Sequence, residues 1–555
     1  MQTKKLDDLN KEELIALVKQ LKKRKKYGLV WEEKPEDVVE QCKREFPVLE
    51  QVEDRKIEKA PDAPTNLIIE GDNYHALSVL NYTHAGKIDV IYIDPPYNTG
   101  SKDWKYNNNY VDENDTYRHS KWCAFMFHRL SLAKNLLTQN GVLCVMIDNY
   151  EIHNLRLILE IIFPEKEIVI TVIEHNHRGR AKNNFALTHE YAIWVLSKGI
   201  ESITRTEDIS DEIKRNLRRT GQGSRRRQSP SMFYGIEVHK KTFEILGVTE
   251  AIPEGNKLPK TNNSETVYVL PIDQGGIERR WYYGRTTVMK EAKEGRVWAK
   301  IIRGRFEIHY RKPGKPMRRK SVWIGAKYDG STYGTEELTK ILGEQDFSFP
   351  KSIFAVKECL ESASSKKDAV ILDFFAGSGT TGHACLLLNK KDGSEGKRTF
   401  ILCTNNEKKI AEGVTFPRIK NVIKGYADQA GIPANVRYFK TAFVSKSKVS
   451  DDTRRALVKK STEMICVREN TFEKIIDKSG YKIYKDGNHV TGILFDLEAL
   501  DAFKGALRKQ KLNSHLYVFS LSNDTYNDDF EDLGLEHELC PIPESILEVY
   551  RKLFK

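Results

Sequence analysis

The chain has 555 residues, enough for several domains and at least one large hydrophobic core, which excludes a single small module. Its 90 lysines and arginines outnumber its 78 acidic residues, and this basic excess favours a polyanionic partner such as nucleic acid. The sequence has no run of about 18 apolar residues and no apolar leader, which predicts a cytoplasmic protein without a membrane span. The eight scattered cysteines form no CxxC pair and are predicted to be reduced core residues.

Changes in sequence pattern predict five regions. Residues 1–60 are charged, with apolar residues at helical spacing, and are predicted to be a helical region. Residues 61–200 and 345–440 contain short apolar runs between helical stretches, a pattern typical of parallel strands buried on both faces. We therefore expect an α/β fold in which both segments build one doubly wound, mostly parallel sheet. Residues 201–344 break the pattern as an insertion, and residues 441–555 are predicted to form an α+β region.

The first motif ends an apolar strand that starts near Lys87. Asp94, Pro95, Pro96 and Tyr97 follow the run Ile-Tyr-Ile. Because prolines cannot donate to a sheet ladder, the strand must end near Asp94 and continue as a stiff turn. An acid and an aromatic ring then lie at the carboxyl end of a strand, where open α/β sheets bind ligands. The polar, aromatic segment 104–110 is predicted to be a loop over this site.

Two basic clusters mark the insertion, one at residues 214–227 and one at residues 300–320. Cations mixed with aromatic residues and turn formers are typical of a DNA-facing surface, where the cations bind phosphates and a few polar side chains read base edges. A solvated β-rich insertion without a partner is the alternative. The candidate DNA contacts are Arg225, Arg226, Arg227, Arg303, Arg305, Arg311 and Lys312.

The second motif is a strand that ends in an acid, followed by a glycine loop and a helix. Its candidate cofactor residues are Asp373, Phe375, Gly377, Ser378, Gly379 and Thr380. Glycines let a backbone approach a ligand closely, and Glu407, after the next strand, is a candidate acceptor for ribose hydroxyls, a role that Asn405 or Asn406 could take instead. Taken alone, this motif fits any nucleoside cofactor, including a nicotinamide or flavin nucleotide.

The first motif narrows the chemistry to methylation of an exocyclic amine. Such a nitrogen is a poor nucleophile because its lone pair is delocalised into the ring. The Asp94 carboxylate and the Pro95 carbonyl could accept its two N–H groups and localise the lone pair, while Tyr97 stacks on a base that has been flipped out of the duplex. S-adenosylmethionine would be the methyl donor, and positioning and electrostatics would supply most of the catalysis without a metal.

Together, Asp94-Pro-Pro-Tyr-Asn-Thr-Gly100 and Asp373-Phe-Phe-Ala-Gly-Ser-Gly-Thr-Thr381 resemble the β class of DNA amino-methyltransferases. In that class the catalytic motif precedes the cofactor loop, and the target-recognition region lies between them. The loop at residues 117–122 and the basic insertion are also similar to the modification subunits of type III restriction systems. The resemblance implies catalytic roles for Asp94, Pro95, Pro96 and Tyr97, cofactor binding by the glycine loop, and further cofactor contacts at Asp72 and Lys351.

The same resemblance implies an adenine-N6 enzyme, since the cytosine-N4 enzymes of this class usually open the catalytic motif with serine. A cytosine-N4 enzyme, an RNA or protein methyltransferase and a non-catalytic DNA-binding subunit remain as alternatives. The expected partners are double-stranded DNA, a second copy of the chain in a homodimer and, where a restriction system exists, a separate restriction subunit. The chain shows no GxxxxGK[ST] phosphate loop of its own for ATP-driven cleavage.

Overall fold

The computed structural model describes residues 31–32, 34–61, 63–179, 184–206, 213–259, 264–312, 317–344, 347–447, 450–487, 489–521, 524 and 526–554. The first half of the predicted N-terminal helical region, residues 1–30, lies outside this set. The chain divides into two compact units, a larger one (residues 1–204 and 320–555) and a smaller one (residues 205–319). The described helices include none with the length and apolar character needed to cross a lipid bilayer.

The strands are β1 (Glu45–Gln51), β2 (Ile57–Glu58), β3 (Thr65–Glu70), β4 (Ile88–Ile93), β5 (Ser101–Tyr106), β6 (Asn109–Asp112), β7 (Leu137–Ile147), β8 (Lys166–Glu174), β9 (His189–Ser197), β10 (Ile213–Asn216), β11 (Ile236–His239), β12 (Ile245–Val248), β13 (Thr266–Val269), β14 (Val297–Ile302), β15 (Arg305–Lys312), β16 (Val322–Trp323), β17 (Val370–Asp373), β18 (Thr399–Thr404), β19 (Gly425–Tyr426), β20 (Gln429–Ala430), β21 (Asn435–Ser445), β22 (Glu473–Asp477), β23 (Tyr481–Asp486), β24 (His489–Leu494), β25 (Asn513–Phe519) and β26 (His537–Ile542).

The α-helices are α1 (Asp37–Arg44), α2 (Asn73–Thr83), α3 (Arg118–Lys134), α4 (Ile152–Ile162), α5 (Arg285–Lys293), α6 (Glu336–Leu342), α7 (Ile353–Ala363), α8 (Thr380–Asp392), α9 (Phe416–Lys424), α10 (Ser450–Lys459), α11 (Thr462–Glu469), α12 (Leu500–Gln510), α13 (Asn527–Phe530) and α14 (Glu544–Leu553).

The larger unit is built on one sheet with the strand order β1-β21-β3-β18-β17-β4-β7-β9-β8-β16, and β2 pairs with β21. All neighbours from β21 to β7 are parallel, whereas β9 is antiparallel to both of its neighbours. Alternate strand residues face two separate cores, one with α2, α3 and α4 and the other with α7, α8 and α9. The prediction of a doubly wound, mostly parallel α/β sheet from two separated segments is confirmed.

The two motifs follow neighbouring strands of this sheet. β17 pairs with β4 in parallel, with Ile371 opposite Val90 and Leu372 opposite Ile91. Parallel neighbours end at the same edge, so Asp94 and Asp373 open adjacent turns although 278 residues separate them in the sequence.

Three segments differ from the sequence prediction. Residues 320–344 belong to the larger unit and not to the insertion, because β16 pairs in parallel with β8. Residues 45–51 and 57–58 are strands on β21 and not part of a helical region, since β1 carries a short apolar run with a proline at position 47. Segment 104–110 is not a loop but most of the β5–β6 hairpin, whose turn residues Asn107 and Asn108 both have positive φ.

The C-terminal region forms a second sheet with the order β22-β23-β24-β25-β26. α12 packs on one face of this sheet in its own apolar cluster, and contacts from Val458, Ile465 and Cys466 cover the other face. All eight cysteines are free and seven are buried, as the sequence predicts.

The smaller unit contains two three-stranded antiparallel sheets, β10-β15-β14 and β12-β11-β13, together with α5. Tyr234, Trp281, Val288, Ile308 and Tyr310 are among its buried core residues. This unit therefore has a hydrophobic core of its own.

Candidate active site

A cavity of about 460 Å³ opens in the larger unit at the edge where β3, β4, β17 and β18 end. That volume lies within the range of about 300 to 1,000 Å³ typical of small-molecule sites. The structure brings together predicted residues from five separate stretches of the chain. Those that line the cavity are Asp72, Asp94, Pro95, Pro96, Tyr97, Lys351, Phe375, Gly377 and Glu407.

The catalytic turn is fixed from behind. The Trp122 indole N–H donates to the Pro96 carbonyl over 2.7 Å. Among the described residues, no donor binds the Pro95 carbonyl, and Pro95 lines the cavity. The Asp94 carboxylate and the Pro95 carbonyl therefore both remain available as acceptors at the cavity.

Four side chains of the turn and its surroundings form a charged cluster. The Lys351 Nζ lies 3.0 Å from the Asp94 Oδ1 and 3.1 Å from the Glu190 Oε2. The Tyr97 hydroxyl donates to the same Glu190 oxygen over 2.9 Å, and the Lys351 Nζ lies 4.6 Å from the centroid of the Tyr97 ring. One ammonium group thus serves two carboxylates and also contacts the aromatic ring.

Burial and charge set the ionisation of this cluster. Burial raises the pKa of Asp94, and the negative charge of Glu190 raises it further against the lowering effect of Lys351. Burial would also raise the pKa of Glu190, but Lys351, with His175 and the Tyr97 hydroxyl, holds that pKa below its usual value. The two carboxylates raise the pKa of Lys351 despite its burial. The surroundings therefore favour the charged form of Glu190 and disfavour that of Asp94, although both carboxylates contact the same ammonium group.

The acid of the glycine loop is turned inward. The Asp373 Oδ1 accepts the Phe375 backbone N–H over 2.9 Å, and its Oδ2 accepts the Thr381 hydroxyl over 2.5 Å. Burial raises the pKa of Asp373 to about 7, although both hydrogen bonds lower it. Gly377 and Gly379 have φ values of +47° and +79°, which glycine adopts without strain.

Two further predicted loop residues also face away from the cavity. The Ser378 and Thr380 hydroxyls accept hydrogen bonds from Nη1 of the buried Arg418 over 3.0 and 2.8 Å. With Asp373, they hold the shape of the loop, whereas Phe375 and Gly377 present its surface to the cavity.

The opposite wall is organised by Arg129, which is fully buried on α3. Its Nη2 lies 2.7 Å from the Glu36 Oε1 and 3.2 Å from the Asp72 Oδ1. Asp72 also caps α2 by accepting the Tyr74 backbone N–H over 2.7 Å. Burial alone would raise the pKa of Glu36, but Arg129 and, to a smaller extent, His128 lower it to about 2. A fixed ion pair therefore orients Asp72 toward the cavity.

Glu407 lies at the cavity rim, in the loop after β18. Its carboxylate pairs with the Lys105 Nζ over 3.2 Å, so the β5–β6 hairpin reaches across to the cofactor half of the site.

Sequence reasoning missed Glu36, Arg129 and Glu190. Arg129 was open to detection, because it lies among apolar residues in the segment 122–137, whose amphipathic pattern is typical of a helix. Glu190 was harder to find: it is the second residue of β9, and the antiparallel direction of β9 brings its amino end to the edge where the parallel strands end.

A family model described as DNA methylase matches residues 88–415, more than half of the chain. The chain belongs to the DNA methylase family. It is a DNA methyltransferase. In the described part of this methylase, no group of three or more His, Cys, Asp or Glu side chains is arranged to hold a metal ion.

Three curated proteins are similar to this methylase. Type II methyltransferase M.KpnI of Klebsiella pneumoniae is 32% identical over 62% of this chain and 82% of that protein. The type III StyLTI Mod subunit of Salmonella typhimurium is 31% identical over 61% of this chain, and the EcoPI Mod subunit of Escherichia phage P1 is 29% identical over 62%. The alignments cover 52% and 58% of those two Mod subunits, so the methylase spans little more than half of their length.

The cavity residues fit S-adenosylmethionine. Gly377 leaves the loop surface without a side chain, and a Cβ there would lie 3.2 Å from the Phe347 ring. Asp72, Asp94 and Glu407 supply carboxylates that suit ribose hydroxyls and a positively charged sulfonium. The glycine loop and Asp72 would therefore hold the donor in the methylase, beside the catalytic turn.

The smaller unit of the methylase presents most of the predicted DNA contacts to solvent. Arg225, Arg227, Arg303 and Arg305 are exposed, and Arg311 is partly buried. The side chain of Lys312 lies outside the described residues.

The prediction for Arg226 is wrong. Its side chain is buried, pairs with the Glu278 Oε2 over 2.6 Å and lies over the Phe233 ring. Because these contacts engage the guanidinium inside the unit, Arg226 stabilises the fold of the smaller unit and does not bind phosphates.

Proposed function

We propose that this DNA methyltransferase transfers a methyl group to the N6 amine of an adenine at a specific site in duplex DNA. The observation that carries the proposal is the pair of acceptors at one cavity, the Asp94 carboxylate held by Lys351 and the open Pro95 carbonyl. An exocyclic amine has two N–H groups, and this turn offers one acceptor for each.

The target base must leave the duplex before its amine can reach a turn at the edge of a sheet. The Tyr97 ring lines the cavity and offers a stacking surface, a contact worth about 1 to 3 kcal/mol per base. Asp94 and Pro95 then hold the two N–H groups so that the nitrogen lone pair projects out of the plane of the base. When bound, S-adenosylmethionine supplies the electrophilic methyl group. One amine proton must leave, and Asp94 is suited to accept it because burial raises its pKa.

The choice of adenine rests on the aspartate that opens the catalytic turn, which matches the adenine-N6 enzymes of the β class. We also propose that the smaller unit recognises the DNA site, since exposed arginines are well suited to bind phosphates. A second copy of the chain and a restriction subunit are proposed partners, the latter because two relatives are named as Mod subunits of restriction-modification enzymes.

Analysis of methylated nucleosides tests the reaction. The purified chain is incubated with duplex DNA and methyl-labelled S-adenosylmethionine, and the DNA is digested to nucleosides. We expect label in N6-methyladenine. Label in N4-methylcytosine would contradict the base assignment, and unlabelled DNA would favour a non-catalytic DNA-binding subunit.

A salt titration tests the DNA surface. The double variant Arg303→Ala/Arg305→Ala is expected to bind DNA more weakly and to lower the slope of log affinity against log salt by about two. Lys290→Ala/Lys293→Ala, which removes two exposed cations from α5 in the same unit, is the matched control. Equal slopes in both variants would remove Arg303 and Arg305 from the DNA contact.

A further inference from the structure

Glu190 is a buried acid that belongs to neither motif. Only 3% of its surface is exposed, and it is not among the residues that line the cavity. Its Oε2 nevertheless contacts two residues that do, the Lys351 ammonium at 3.1 Å and the Tyr97 hydroxyl at 2.9 Å. Glu190 therefore lies directly behind the groups that meet the target base.

A stable core would not need this acid. A buried carboxylate persists only when charges and hydrogen bonds compensate it, and Lys351 supplies that compensation. Lys351, however, already has a carboxylate partner in Asp94 at 3.0 Å. The second carboxylate is thus surplus to a simple ion pair, and both of its partners belong to the reaction site.

We propose that Glu190 is a positioning residue for methyl transfer: it holds Lys351 and the Tyr97 ring in place whether Asp94 is ionised or protonated. This inference rests on the proposed function, because it assigns Asp94 as the group that receives the amine proton.

The charge balance of the reaction explains why Lys351 needs a second carboxylate. In the transfer, the amine nitrogen bonds to the methyl carbon, the bond from that carbon to sulfur breaks with its electron pair left on sulfur, and one amine proton passes to Asp94. Two carboxylates and one ammonium become a neutral acid and a Glu190–Lys351 ion pair. Without Glu190, protonation of Asp94 would leave the partly buried Lys351 ammonium without the counterions that it contacts here.

The second contact acts on the stacking ring. The Tyr97 hydroxyl is anchored by Glu190, and the Lys351 Nζ lies 4.6 Å from the ring centroid. Glu190 thus holds the hydroxyl end of the Tyr97 ring by a hydrogen bond. It also holds the Lys351 ammonium, which lies beside that ring. The plane on which the base stacks is set before the base arrives.

The charge of Glu190 also affects the titration of Asp94. The titratable and charged groups that interact electrostatically with Asp94 are Lys351, Glu190, Tyr97, Tyr92 and Asp373. His175 interacts in the same way with Glu190. Since Glu190 raises the pKa of Asp94, removing its charge lowers that pKa. The acidic limb of the pH profile should therefore move to lower pH in a neutral variant.

The test compares Glu190→Gln with Tyr97→Phe, with the double variant and with the control Glu167→Gln, an exposed acid on the adjacent strand β8. Single-turnover rates are measured against pH on whichever base the wild type methylates. For Glu190→Gln we expect a rate lower by about 10²-fold and an acidic limb at lower pH. We also expect a combined loss in the double variant that is smaller than the product of the single losses.

A second readout needs no cofactor. With 2-aminopurine at the target position, we expect Glu190→Gln to show a smaller fraction of the long-lived emission that reports an unstacked base. Glu190→Asp, which keeps the charge, should retain the wild-type acidic limb even if its rate falls.

The proposal is overturned if Glu190→Gln matches Glu167→Gln in rate and pH profile. It is also overturned if Glu190→Gln lowers the rate but leaves the acidic limb where it is, and if its loss multiplies fully with the loss in Tyr97→Phe. That result would mean that Glu190 contributes only to packing. A wild type that methylates cytosine would contradict the proposed function but would leave this comparison intact, because every variant is measured on the same base.

Discussion

The turns after β4 and β17 lie side by side at one sheet edge, and each opens with an aspartate. Asp94 faces the cavity and pairs with Lys351, a residue distant in sequence. Asp373 is buried and, among the residues that the structure describes, its hydrogen bonds stay within its own loop and helix, to the Phe375 N–H and the Thr381 hydroxyl. An acid at the end of a parallel strand thus becomes a reactive group in one turn and a support for the loop in the next.

The residues that follow each aspartate explain the difference. An aspartate commonly accepts the backbone N–H two positions on, as Asp373 does from Phe375. Asp94 has Pro95 and Pro96 after it, and proline has no N–H to donate. The prolines therefore withhold the local partner, and the carboxylate is left for Lys351 and the substrate.

Neutralising the two aspartates should separate their roles most strongly. Asp94→Asn is expected to lower the single-turnover rate of methyl transfer by about 10³-fold, because both the acceptor for the amine and the base for its proton are lost. Asp373→Asn should lower the rate far less, since an amide can accept from Phe375 and donate to Thr381. Similar losses in both variants, with folding verified by circular dichroism, would end the distinction between the two acids.

Lys351→Met tests whether Lys351 is the partner of Asp94 that takes the role of the missing local N–H. The change leaves the partly buried Asp94 and the buried Glu190 without the ammonium that they share, so the pKa of Asp94 should rise. We expect a rate lower by about 10²-fold and an acidic limb at higher pH, the opposite direction to Glu190→Gln. Pre-steady-state rates across the pH range measure both effects, and a limb that moves to lower pH would contradict the cluster described above.

Pro96→Ala restores the missing donor and should make the first turn resemble the second. The new N–H lies two positions after Asp94, where it can compete for the carboxylate. The rate should fall about tenfold, the equivalent of one hydrogen bond to a charged group, and the acidic limb should move to lower pH. Pro541→Ala, in β26, is the remote control. Wild-type kinetics in Pro96→Ala would show that the prolines serve only to end the strand.

The sequence was sufficient to predict the parts of the site that local chemistry dictates. Apolar runs locate β4 and β17, and prolines and glycines locate the turns that follow them. The burial of charged side chains depends on distant partners and was not predictable: Arg225, Arg226 and Arg227 look alike in sequence, yet of these three only Arg226 is buried, against Glu278 and Phe233. Strand direction was equally hidden, which is why Glu190 and the pairing of β16 with β8 had to come from the structure.

The smallest expected effect is on stability, and it again separates the two acids. Burial raises the pKa of Asp373 from 3.8 to about 7, so between these values the folded state binds a proton that the unfolded state has released. The contribution of Asp373 to the free energy of unfolding therefore falls as the pH rises from 4 to 7. Asp373→Asn mimics the protonated acid and should gain stability relative to the wild type over that range.

Chemical denaturation at several pH values measures this difference, with Asp428→Asn, an exposed acid between β19 and β20, as the control. The control should differ from the wild type by a nearly constant amount. A constant difference for Asp373→Asn as well would mean that Asp373 is ionised in the folded state. The two acids would then differ in their hydrogen-bond partners but not in the effect of burial on their ionisation.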